Sequence, residues 1–129
     1  MRLEHLTIRA VTDGQNTTGQ CKLSAQLFVA PVDYIVIPLG TCLKIRQIRA
    51  GGAVDTDFTV EYGLPTANQW NPVTTAHYVA SRGELVIDID SPIVLYGRTG
   101  QEAIRVTWTQ TTAGLAYLEL EVDITTMDE

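Results

Sequence analysis

Ala116-Tyr117-Leu118-Glu119-Leu120-Glu121-Val122-Asp123-Ile124 alternates apolar and polar side chains over its whole length. Successive side chains of an extended chain leave on opposite faces, so this stretch is a strand with one buried and one wet face. Leu118, Leu120 and Val122 belong to a core, and Glu119, Glu121 and Asp123 face water.

Toward the N-terminus the same period returns. Ile104, Val106 and Trp108 alternate with Arg105, Thr107 and Thr109. Leu85, Ile87 and Ile89 alternate with Val86, Asp88 and Asp90, and Pro92 opens a further strand, Ile93-Val94-Leu95-Tyr96. Phe58, Val60 and Tyr62 oppose Thr59 and Glu61. In residues 42–50, Leu43 and Ile45 oppose Lys44 and Arg46, but Ile48 shares parity with the cations. A β-bulge near Gln47 returns Ile48 to the core side. Tyr34-Ile35-Val36-Ile37 is a short apolar run. Cys21, Leu23, Ala25, Leu27 and Val29 share one face, and Leu6, Ile8 and Ala10 another. Residues 12–20 read as a polar loop. Residues 64–76, with Pro65 and Pro72, show neither period and read as the longest irregular stretch.

No segment repeats every 3.6 residues, and the connections are too short for parallel crossovers. About eight short strands with Gly, Pro, Asn and Asp between them predict an all-β fold. The expectation is one antiparallel β-sandwich of jelly-roll type spanning residues 1–129, with less than about 10% helix. Its core should hold Leu23, Ala25, Leu27, Leu85, Ile87, Ile104, Val106, Trp108, Leu118, Leu120 and Val122.

The chain has 129 residues, of which 45% are hydrophobic and 19% charged, the balance of a globular protein. Its net charge of −6 lies entirely in residues 65–129, while residues 1–64 are neutral. Binding to nucleic acid needs phosphate neutralisation, which this balance disfavours, and the same holds for anionic membranes. The opening residues carry no apolar signal core, so a cytosol-like compartment is expected. Two cysteines are too few for a disulfide framework. Cys21 reads as a buried apolar residue and Cys42 as lying near a strand start. Free thiols are favoured over a Cys21–Cys42 bridge.

Chemistry-bearing residues are sparse. His5 and Cys21 form a nucleophile and base only if their strands are neighbours; a core thiol and an exposed histidine is the favoured reading. Asp55/Asp57 and Asp88/Asp90 converge on a cation only if their strands face each other; otherwise they are solvated. No catalytic residue, cofactor site or metal site is assigned, and the chain is read as a non-enzyme. Trp70 and Tyr78 flank the irregular stretch and form a candidate sugar-stacking pair, the basis of an alternative reading as a carbohydrate-binding module or lectin-like domain. Arg9, Lys22, Lys44 and Arg46 form a candidate basic patch, expected to meet the acidic second half of a neighbouring copy. Phe28, Tyr62 and Tyr117 are candidates for apolar contacts between copies.

The layout runs from an N-terminal strand through Ile37-Pro38-Leu39-Gly40-Thr41 into Leu43-Lys44-Ile45-Arg46-Gln47-Ile48-Arg49-Ala50. It then passes Gly83-Glu84-Leu85-Val86-Ile87-Asp88-Ile89-Asp90-Ser91-Pro92-Ile93 to a last hydrophobic strand. This layout resembles small β-sandwich or jelly-roll accessory proteins of virions, in particular capsid decoration or cement proteins of tailed bacteriophages. The resemblance covers most of the chain as pattern, without an invariant motif, so no functional residue is carried over. It implies a non-enzymatic, multi-copy protein of the virion capsid surface, made in the host cytoplasm. Its partners would be itself, as a homotrimer, and the major capsid protein, with no nucleic acid and no membrane.

Overall fold

The computed structural model describes residues 4–25 and 31–126. Among the described residues ten strands form two antiparallel sheets: β1 (Glu4–Val11), β2 (Thr18–Gln20), β3 (Lys22–Ala25), β4 (Ile35–Val36), β5 (Thr41–Gly52), β6 (Thr56–Leu64), β7 (Gln69–Tyr78), β8 (Leu85–Tyr96), β9 (Ala103–Thr109) and β10 (Ala116–Thr126). Sheet A has the order β3-β1-β10-β5-β8. Sheet B has the order β2-β9-β6-β7, with β4 also on β9. The pairs nest: β1 with β10, β2 and β4 with β9, β5 with β8, β6 with β7. This wrapping of early strands on late ones is the jelly roll.

The two inner faces make one core. Leu23, Ile104, Val106, Leu118, Leu120 and Val122 are fully buried, and Trp108 nearly so. Leu85 and Ile87, expected in this core, are only half-buried because β8 is the edge of sheet A. Ala25 is also half-buried, and Leu27 and Phe28 lie outside the described residues.

The irregularities of the sequence pattern have physical causes. The bulge expected near Gln47 is present: it falls at Arg46 and breaks register toward both β10 and β8. It leaves Ile48 buried in phase with Ile45. On β8 the same irregularity spans residues 89–92, so the two expected strands around Pro92 are one. Proline has no N–H to give a ladder, and an edge-strand bulge accommodates it.

Residues 64–76 are not one irregular loop. A 3-10 turn, Pro65–Ala67, and left-handed Asn68 lead straight into the ten-residue strand β7. Val73 has no partner on β6, which flips the phase of β7 and hides its alternation. The polar loop at residues 12–20 also ends in a strand, β2. Gly19 lies opposite Trp108, and a Cβ there would come within 2.6 Å of the indole. The indole Nε1 donates to the Asn16 carbonyl at 3.1 Å, pinning that loop to the sandwich.

Both cysteines are buried free thiols. Cys21 points into the core, where burial pushes its thiol up to about 12. Cys42 pairs with Thr125 on the outer side of sheet A, its Sγ 3.1 Å from the Thr125 hydroxyl. The folded protein should therefore resist a thiol reagent at pH 8, whereas in denaturant both thiols react. Rapid modification of Cys21 in the folded state would contradict its placement.

Candidate functional site

The outer face of sheet A carries the charge. β10 lies between β1 and β5, so its outward acids stand beside the outward bases of both neighbours. Arg9 binds Glu119 at 2.8 Å, and Arg49 binds Glu121 at 2.6 Å and Glu119 at 3.2 Å. Arg46 reaches Asp123 at 3.1 Å. Arg9 also lies over the Tyr117 ring, whose hydroxyl donates to Glu84 at 2.9 Å. Lys22 pairs with Asp33. Burial alone would raise the Glu121 carboxyl. The Thr7 hydroxyl, Arg49 and His5 outweigh it and hold that carboxyl below its ordinary range.

This arrangement corrects the reading of Arg9, Lys22 and Arg46 as a patch awaiting another copy. Their acidic partners are in the same chain. Lys44 stands opposite Asp123 on the same face. The two halves of the charge split meet within one sheet, which the sequence could not disclose without the strand order.

The outer face of sheet B is different. Along one row, Trp70 stands opposite Gly63, Gly63 opposite Ala103, and Ala103 opposite Val36. Gly63 and Ala103 are buried although they face outward. Two small residues therefore stand between Trp70 and Val36 in this row, leaving room for large side chains to reach across it. The Arg105 guanidinium sits 4.3 Å from the centre of the Trp70 ring. Its Nε donates to Glu61 at 2.7 Å and its Nη1 reaches Gln20 at 3.5 Å, so the cation is held in place. Tyr34 leans in from the opposite edge, its ring centre 6.3 Å from that of Trp70 at a 54° tilt. Tyr34 and Val36 are 40% and 42% exposed, and Leu39 beyond them is 66% exposed.

Trp70 is therefore placed at a surface cluster, but with Tyr34 and not with Tyr78. Eight residues along one strand separate Trp70 from Tyr78, about 27 Å. Tyr78 points into the core, where its hydroxyl donates to the Gly52 carbonyl at 2.7 Å. The Trp70–Tyr78 sugar platform does not form, and one face of the indole already holds a guanidinium. Tyr34 was missed because it sits in an apolar run that reads as buried throughout. In the structure this run alternates, with Ile35 buried between exposed Tyr34 and Val36.

The remaining candidates stay apart. His5 lies outward on sheet A and Cys21 inward, so they form no dyad. Asp55 and Asp57 lie at sheet B, where Asp55 accepts from the Ala80 amide and Asp57 pairs with His77. Asp88 and Asp90 lie on β8 of sheet A, with Asp88 accepting from Gln47. Among the described residues no three His, Cys, Asp or Glu side chains are grouped to hold a metal ion.

No family model and no curated protein matches the chain. Among solved structures, the crystal structure of murine APRIL at pH 8.0 aligns with a TM-score of 0.50 and 12% identity, over 92% of this chain and 98% of that one. The chain is a jelly-roll sandwich. At that identity the likeness concerns architecture alone. Lesser alignments are to the insecticidal delta-endotoxin Cry8Ea1 from Bacillus thuringiensis (TM-score 0.40, 13% identity, 70% of this chain and 16% of that one) and to Drosophila NLP-core (0.36, 15%, 90% and 97%).

Proposed function

We propose that this protein is a non-enzymatic structural component of a virus particle, a decoration or cement protein that grips the major capsid protein through the outer face of sheet B. The cluster of Trp70, Arg105 and Tyr34 carries the reading. Tryptophan, tyrosine and arginine are the residues on which protein–protein affinity concentrates, and here all three are assembled with no rearrangement needed. Val36 and Leu39 add exposed apolar area of the kind that marks a contact surface. The resemblance of the layout to capsid decoration proteins suggests the virion, its capsid surface and a homotrimer as the setting, with synthesis in the host cytoplasm. Because the charged lattice of sheet A is satisfied internally, association rests on apolar and aromatic contact.

The test is co-sedimentation of the purified protein with capsids that lack it. Wild type should bind, and Trp70→Ala should weaken binding by about 30-fold or more, the effect of a hot-spot truncation. Light scattering should find a species of three times 14.2 kDa, insensitive to added salt. Equal capsid binding by wild type and a Trp70→Ala/Arg105→Ala variant would overturn the assignment of this face.

A further inference from the structure

We propose that His5 is a proton-operated clamp that fastens the first half of β1 to β10. Its Nδ1 lies 2.7 Å from Asp123 Oδ1 and its Nε2 lies 2.9 Å from Glu121 Oε2. An ionised carboxylate only accepts hydrogen bonds, and a neutral imidazole has a single N–H to give. Both contacts are satisfied together only by the imidazolium. Removing its proton turns one nitrogen lone pair against a carboxylate.

The surroundings maintain those two acids as anions. From β5, Arg46 holds Asp123 and Arg49 holds Glu121, with Lys44 opposite Asp123 in the ladder. From β1 itself, Thr7 donates to Glu121 at 2.7 Å, while Arg9 is engaged two positions along by Glu119. Among the described residues, β3 contributes no charge at His5, since its described pairing with β1 runs from Ile8 to Val11. Among the described residues, residues 4–7 therefore have β10 as their one ladder partner, with Leu6 as their buried anchor.

The direction with pH follows. The hydrogen bond to Asp123 leads in raising His5 above its ordinary 6.5. Its stabilisation is complete below 6.5 and disappears as pH climbs through the raised value. Glu121 and Asp123 are both lowered from their ordinary 4.5 and 3.8, so their share is complete above those ordinary values, declines as acid passes through them, and is gone below the lowered ones. The clamp is closed in mild acid and opens on the alkaline side.

Proton NMR of the full chain tests this. The His5 ring protons should titrate above 6.5, with Glu121→Gln lowering the midpoint. Amide protection in residues 5–7, corrected for intrinsic base catalysis, should fall roughly two- to fivefold as His5 deprotonates, the range an exposed ion pair supports. Residues 8–11, held on both sides, should not follow. His5→Gln should remove the pH dependence at residues 5–7. A His5 midpoint at or below 6.5, or the same pH response in His5→Gln, would overturn the clamp.

Discussion

Replacing Leu120 by alanine should lower the unfolding free energy by about 2–5 kcal/mol, the range for a leucine removed from a packed core. Leu120 has no exposed surface and sits in the central strand of sheet A, between Ile8 on β1 and Ile48 on β5. All three are locked in place by ladders on either side, so the cavity left by truncation has little room to collapse. Urea unfolding monitored by fluorescence measures the loss. A change below about 0.5 kcal/mol, the size of a surface substitution, would mean that this strand is not central.

Gly63→Ala should be as damaging, although it adds only one methyl group. The new Cβ would lie 1.8 Å from the Gln69 carbonyl oxygen and 2.9 Å from the Trp70 Cα. These are backbone atoms of the neighbouring strand, so no side-chain rotation relieves the contact, and the start of β7 has to move away. A cost of about 3 kcal/mol or more is expected, at the upper end for overpacking. The displacement should also lift Trp70 from Arg105, which would appear as a red shift of tryptophan emission in the still-folded protein. Gly40→Ala is the control. Gly40 has a left-handed φ of +80° but nothing within 4 Å of its would-be Cβ, so only backbone strain of about 1 kcal/mol should result. Equal stability of the Gly40→Ala and Gly63→Ala proteins would contradict the close approach of the β7 backbone to Gly63.

The strands that were readable are those whose neighbours bury one face and leave the other in water. β1, β9 and β10 show this in Leu6, Ile8 and Ala10, in Ile104, Val106 and Trp108, and in Leu118, Leu120 and Val122. β7 escaped because the unpaired Val73 reverses its phase and Trp70 is a large apolar residue on the outside. The two-strand reading of residues 85–96 failed for a related reason, since an irregular passage around Pro92 looks like a chain break when the partner's bulge is unseen. Trp70 could be singled out as a surface ring, but its partnership with Tyr34 is made across four strands of sheet B. Likewise, the acids of β10 and the bases of β1 and β5 were visible, while their mutual neutralisation required knowing that β10 lies between them. Local periodicity reports which way a side chain points; strand order decides what it meets.

The nested pairing also governs how the chain reaches its native state. His5 and Asp123 are 118 positions apart, whereas β6 and β7 are joined by a four-residue turn. Closing the long loop costs entropy before any of its contacts form, so the β6–β7 hairpin should assemble early and the seam between β1 and β10 late. On a ribosome, the apolar sides of β1 and β5 remain uncovered until the final strand emerges. That interval, more than any weakness of the finished sandwich, is when neighbouring chains can capture one another, and dilute, cool refolding should recover more protein than concentrated, warm refolding.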